Sequence, residues 1–269
     1  MSTELSGGWN FRDVADSTAN AVQPGRLFRS GELTKLDDTG VAQLAELRVT
    51  DVADLRSGRE VERHGSDLVP DGVVVHLLPF VEVVAAMDGD EAPHEHAFQR
   101  LMTEKPDDES TVDAAKRYMT EEYIRFAKAP GAATALHRMV TLLADGSSML
   151  THCFAGKDRT GFSVAVILDA AGVDRDAVMN DYLYSNTAAP QLREQIVAMI
   201  RRRFEGEIPS EVAELTETRL SDDVLGVRPE YLDSALRVVE AEYGSVQGYL
   251  QFTGVTEDQL AKLRSALRG

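Results

Sequence analysis

The stretch from Ser148 to Gly172 constrains the fold more than any other. Ser148-Met-Leu-Thr151 is a short apolar run just after Asp145-Gly146, which reads as a strand entered from a turn. Phe162 to Gly172 has the pattern of a buried helix stopped by a glycine. Between them lies His152-Cys-Phe-Ala-Gly-Lys-Asp-Arg-Thr-Gly161. Strand, tight loop and helix N-terminus in that order place Cys153 at a strand end and Arg159 just before a helix. Gly156 and Gly161 let the backbone bend and approach a ligand closely.

Such a loop is a cradle for an oxyanion. Successive backbone N–H groups converge into an anion-binding nest. The helix behind adds unpaired N–H groups and the positive end of its dipole. Arg159 is suited to clamp two oxygens of a phosphate. The phosphate-binding set expected is therefore Phe154, Ala155, Gly156, Lys157, Arg159 and Thr160. The same positive field favours a thiolate at Cys153, the one cysteine of the chain. A thiolate beneath a bound phosphate is a nucleophile aimed at phosphorus. Two blander readings compete. A lone Cys is often a small buried hydrophobe, and such a loop can hold an anion without turning it over. It is not a Walker A loop, because Gly156-Lys157 is followed by Asp158 rather than Ser or Thr.

Composition narrows the partners. Lys plus Arg number 28 and Asp plus Glu 45, a net charge of −17 over 269 residues. This argues against nucleic-acid binding and against broad docking on anionic membranes. One cysteine excludes an internal disulfide. No apolar run of roughly 18 residues marks an integral membrane segment, and the first residues lack the charged and apolar regions of a signal peptide. The expectation is a soluble protein. Without internal repeats or a clean linker, residues 1–269 are expected to form a single domain.

Cys-x5-Arg followed by Thr, with His before the Cys, resembles the signature of the cysteine-dependent phosphatases. Ala155-Gly-Lys157 resembles the loops of phosphoinositide phosphatases, and Lys157-Asp158 resembles an atypical bacterial branch acting on phosphotyrosine and lipids. The resemblance runs nearly end to end. It implies a tyrosine-phosphatase-like α/β fold: a mostly parallel sheet of four or five strands flanked by helices, with helical lid elements at about 87–113 and 190–227. It implies a cysteinyl-phosphate mechanism with Cys153, Arg159 and Asp158 catalytic, and no cofactor or metal. The implied substrates are phosphotyrosine proteins, with phosphoserine, phosphothreonine and phosphoinositides beside them. It places the protein in the cytoplasm or outside the cell by export without a cleavable signal. Phosphoinositides as the main substrate, or a non-catalytic phosphate-binding module, remain alternatives.

Other stretches carry second-rank candidates. Arg12 and Asp13, in Trp9-Asn-Phe-Arg-Asp13, read as a surface ion pair worth little; the resemblance implies that they support the phosphate loop from below. His152 is expected to orient the loop. Arg56 and Arg59 follow the strand Val49–Leu55, at the carboxyl edge where open α/β sheets bind ligands. For Arg59 a substrate contact and a solvated helix start, balanced by Glu60 and Glu62, are both open. Val73–Phe80 is a near-continuous apolar run and predicts a buried strand. Glu82 follows it and is the second choice for the general acid after Asp158. Residues 87–113 read as a solvated insertion or a lid. The His94/His96 pair lacks further metal ligands. On the helix 114–126, Tyr118, Met119, Tyr123 and Phe126 trace a core-facing side. Asp181 and Asn186 read as architectural. From Pro190 onward the pattern is helical.

Overall fold

The computed structural model describes residues 5–80, 110–203, 220 and 222–269. Its strands are β1 (Arg12–Asp13), β2 (Leu27–Ser30), β3 (Asp51–Asp54), β4 (Val74–Leu77) and β5 (Met149–His152). They form one five-stranded sheet in the order β1-β2-β5-β3-β4. All neighbours are parallel except β1 and β2. This is the mostly parallel, helix-flanked α/β sheet expected.

Period-two alternation divides the strands between two cores. Leu27, Ala53 and Met149 face a large core built with helices α5 (Pro130–Ala144), α6 (Asp158–Ala170), α10 (Pro229–Tyr243) and α12 (Glu257–Arg268). Phe28, Val52 and Leu150 face a smaller one with Leu36 and Leu44, the latter on α2 (Asp38–Glu46). Asp37 caps α2 by accepting the Gly40 N–H at 2.9 Å.

The register sets the site. Ser30 and Asp54 flank His152 on either side. The chain therefore leaves β2, β5 and β3 at one level of one edge, at Gly31, Cys153 and Leu55. Because β5 is central, the loop after it is walled by the segments that follow both neighbours.

Two local expectations need correction. The apolar run at Val73–Phe80 is an edge strand, with Val74 52%, Val75 41% and Leu77 47% exposed. An apolar run signals a strand, but its place in the sheet is decided by pairing, and β4 pairs only with β3 among the described residues. The helix after the phosphate loop starts at Asp158, not Phe162, so Arg159 and Thr160 sit inside its first turn.

Of the lid elements, 87–109 and 204–219 lie outside the described residues, as do Glu82, His94 and His96. Within 190–227, α8 (Ala189–Arg203) and α9 (Asp222–Leu225) are helices. Leu192, Leu220 and Leu225 pack in one cluster with Trp9, Phe154 and Ala155, so this region touches the loop itself. No helix among the described residues is long and apolar enough to cross a membrane.

Candidate active site

The loop closes tightly over the sheet edge. Gly156 has φ +63°, and a Cβ there would lie 1.9 Å from the Ser30 carbonyl oxygen. Only glycine fits. Lys157 occupies the N-cap position of α6 without a side-chain cap, which leaves the first-turn N–H groups to an incoming anion. The Thr160 hydroxyl is buried without a partner among the described residues. Cys153, 3% exposed, lines a cleft with Ala155, Asp158 and Arg159 on the loop side. Met119, Glu122 and Phe126 of helix α4 (Thr111–Lys128) form the other side of this narrow cleft.

Arg159 is held by a residue that sequence reasoning left as a surface charge. Its Nη1 and Nη2 each donate to one oxygen of Glu60 at 2.7 Å, and Nη1 also reaches the Leu55 carbonyl at 3.1 Å. Burial alone would lower the guanidinium's pKa, but Glu60 outweighs it and the net shift is upward. Glu60 itself is fixed by a capping box at the start of helix α3 (Gly58–His64), with Oε2 accepting the Ser57 N–H at 2.8 Å. The spacing Ser57-x-x-Glu60 carried the signal of the capping box, but sequence reasoning took Glu60 only as a balance for the nearby arginines. Arg59 is exposed on the first turn of the same helix and is not one of the residues lining the cleft. Arg56 turns inward to Asp54, Asp67 and Glu32 rather than toward a phosphate.

Beneath the loop lies a buried ion cluster. Arg29 donates to the Gly156 carbonyl at 2.8 Å and pairs with Asp181. Arg12 Nε donates to the same carboxylate at 3.0 Å, and its Nη1 to Asn10 Oδ1 at 2.9 Å. Asn10 in turn donates to the Ala155 and Gly156 carbonyls. Arg12 thus supports the loop from below, through Asn10. Burial and neighbouring Arg29 lower its pKa to about 10 against the pull of Asp181. Burial would raise Asp181, but the two arginines lower it. Asp13 departs from expectation. It caps the short helix α1 (Val14–Ser17) through the Ala15 N–H and accepts from Gly25 N–H at 2.6 Å. Its carboxylate shapes a turn and does not contact the loop. Arg29 had no sequence signal, because it is a single charge inside a four-residue strand.

His152 lies at the bottom of the cradle, fully buried. Its Nε2 is 2.8 Å from Asp67 Oδ2 and its Nδ1 is 3.1 Å from the Cys153 carbonyl. Burial disfavours the imidazolium, yet Asp54 and Asp67 push the pKa up to about 9. The protonated ring donates at both nitrogens and so fixes the residue that carries the sulfur. Asp54, Asp67 and His152 are close enough together to suggest a metal site. Arg56 already donates to both carboxylates, at 2.8 and 2.9 Å, so cationic partners occupy the oxygens a metal would need.

Two groups meet at the mouth of α6. Asp158 Oδ1 accepts from the Tyr123 hydroxyl at 3.1 Å, and Oδ2 is 3.6 Å from Lys157 Nζ. Lys157 was expected to add charge toward a phosphate. Its ammonium instead donates to the carbonyl of Leu225, the last residue of α9 and an acceptor without an intrahelical partner. Glu122, on the facing wall, pairs with Arg125. Burial raises its pKa, and the charge of Asp158 adds to that.

A buried cysteine at a strand end, an uncapped helix N-terminus and a carboxylate-gripped arginine define a phosphate-processing loop, and a family comparison gives the same class. The chain belongs to the tyrosine phosphatase family, whose model matches residues 3–269. Its chemistry is phosphomonoester hydrolysis through cysteine. Among individual proteins it is 54% identical to the triple specificity protein phosphatase PtpB of Mycobacterium tuberculosis, over 99% of both chains. It is 26% identical to a tyrosine-protein phosphatase of Nostoc commune, over 93% of this chain and 76% of the other.

Proposed function

We propose that Cys153 attacks phosphorus while the loop N–H groups and Arg159 hold the equatorial oxygens, where the transition-state charge spreads. The P–O bond to the leaving group breaks, and Asp158 gives that oxygen a proton. In the second step water attacks phosphorus and loses a proton to Asp158. The P–S bond breaks and its electron pair returns to the sulfur. The Thr160 hydroxyl, buried without a partner among the described residues, stabilises the departing thiolate. Residues 1–269 act as one catalytic domain, with α8 and α9 as part of its lid.

The substrate is phosphotyrosine in proteins first, with phosphoserine, phosphothreonine and phosphoinositides also accepted. The name of the Mycobacterium tuberculosis relative supports breadth. Lys157, the loop residue most suited to a second ring phosphate, is engaged with Leu225, which favours protein over lipid as the main substrate. The observation that carries the mechanism is the two-oxygen grip of Glu60 on Arg159 beside Cys153, because it presets the clamp before a phosphate arrives.

The test is hydrolysis in EDTA of a phosphotyrosine peptide, a phosphoserine peptide and a phosphoinositide, with Cys153→Ser and Asp158→Ala alongside. Turnover by the wild type and none by Cys153→Ser is expected. Asp158→Ala should lose most on phosphoserine, whose leaving group needs the proton most. Phosphate binding without turnover of any substrate would reduce the chain to a phosphate-recognition protein. An unaffected Asp158→Ala would pass the acid role to Glu82.

A further inference from the structure

Tyr123 reads in the sequence as a core residue, and its ring is one. It is fully buried against Phe126, Tyr182 and Tyr231, with ring centroids 5.2, 6.1 and 5.9 Å away. Packing does not account for its hydroxyl. Phenylalanine would fill the same space without the cost of burying a polar group. The hydroxyl leaves this apolar packing at one point, to donate to Asp158. Behind it the Tyr182 hydroxyl donates to the Tyr123 oxygen at 2.8 Å. Each phenol has one proton to give, and the Asp158 oxygen facing Tyr123 accepts it, leaving the other oxygen free to carry a proton or not. The direction Tyr182 to Tyr123 to Asp158 is thereby fixed. Burial raises the pKa of both tyrosines well above the ordinary phenolic value, so both remain donors.

We propose that Tyr123 is a positioning residue for the reaction, holding one oxygen of Asp158 and leaving the other for proton transfer, with Tyr182 steadying the Tyr123 hydroxyl. The proton-carrying role of Asp158 rests on the function proposed above; the hold on its carboxylate does not. Other charges also surround this carboxylate. Lys157 lies 3.6 Å from its second oxygen, and Arg159 and Glu122 share the cleft. None of these gives a donor at Oδ1. The two tyrosines come from different elements, α4 and α7 (Arg175–Tyr184). The hold therefore forms only when α4, the cleft's far wall, is docked against the loop.

The experiment is a double-mutant cycle on kcat with Tyr123→Phe and Asp158→Asn, each assayed on a phosphoserine peptide and on p-nitrophenyl phosphate. Tyr123→Phe should lose roughly tenfold on phosphoserine, a part of what a proton donor supplies, and less on the better leaving group, with KM little changed. In the Asp158→Asn background Tyr123→Phe should add nothing. Additive losses would overturn the proposal while leaving the acid role of Asp158 intact. Non-additive losses of equal size on both substrates would keep the hold and remove the acid role. Tyr123→Phe strands the Tyr182 hydroxyl in the core, so Tyr123→Phe/Tyr182→Phe, which removes both buried groups, is run beside it with thermal melts. If the double variant melts like wild type yet turns over phosphoserine at the wild-type rate, the hydroxyl chain has no positioning role.

Discussion

The two sides of the cleft are built on different principles. On the loop side the contacts are mainly ionic and buried, and most of them join residues far apart in sequence. Arg12 and Arg29 converge on Asp181, Arg56 and His152 on Asp54 and Asp67, and Arg159 on Glu60. On the facing side one helix supplies the wall, with Met119 and Phe126 apolar and Glu122 the ionisable member. A loop that must bind a dianion needs fixed dipoles that cannot relax, and ion pairs out of water are stiff. A wall that must accept the rest of the substrate needs contact area and little charge. The comparison teaches that preorganisation is concentrated on one side, and that the other side reaches the loop's carboxylate through a single hydroxyl, that of Tyr123.

If that division holds, the loop side should fail hardest. Asp181→Asn leaves two buried arginines sharing a neutral partner. Breaking a buried pair in this way costs about 3–5 kcal/mol, which denaturant melts would register as a clear drop in the midpoint. A loss below about 1 kcal/mol would mean the cluster is not the rigid base inferred here.

The next effect depends on pH. The His152 pKa is raised from 6.5 to about 9, so its stabilisation is fully present below about 6.5 and fades as pH rises through 9. Burial opposes ionisation of Asp67, but His152 and Arg56 lower its pKa, so its contribution is present above the ordinary carboxylate range and fades on acidification. The network is therefore strongest between those limits. At roughly 1.4 kcal/mol per pH unit, the shift from 6.5 to about 9 makes the His152 contribution at most about 3–4 kcal/mol. In melts between pH 6 and pH 10, His152→Gln should flatten the alkaline decline. A decline of unchanged steepness would show that the imidazolium is not what fades.

The wall should give the smallest change. Glu122 has its pKa raised, so burial of the ionised form penalises the folded state once pH exceeds the carboxyl's unfolded value. Glu122→Gln removes that penalty together with the Arg125 pair. The expected result at pH 7 is a change within about 1 kcal/mol, with an equal or slightly higher melting point. A large destabilisation would put the wall on the same ionic footing as the loop and erase the contrast.

Legibility followed locality. Cys153, Asp158 and Arg159 stood out because one strand, one loop and one helix N-terminus lie within 25 residues of continuous chain, Ser148 to Gly172. Glu60 was taken for a surface charge, because its partner Arg159 lies 99 residues away. Arg29 and Tyr123 were invisible, because a charge in a short strand and an aromatic on a core-facing helix carry no mark of the group they reach. Lys157 and Asp13 were misplaced for a related reason. A lysine or aspartate can satisfy itself on any nearby acceptor or donor, and the Leu225 carbonyl and the Gly25 N–H were such partners.

The sequence by itself determined the class of chemistry, since a nest of backbone N–H groups ahead of a helix, with Cys and Arg at its ends, is local geometry. It also determined the α/β plan, through the spacing of apolar runs and glycines. Only the tertiary structure decided which carboxylate grips Arg159, which cations hold the loop from below, and which hydroxyl reaches Asp158. Those depend on bringing β2, β3 and β5 to a common edge and α4 against it. The buried ion pairs exist only because the docked elements exclude water from charges that the unfolded chain keeps solvated and apart.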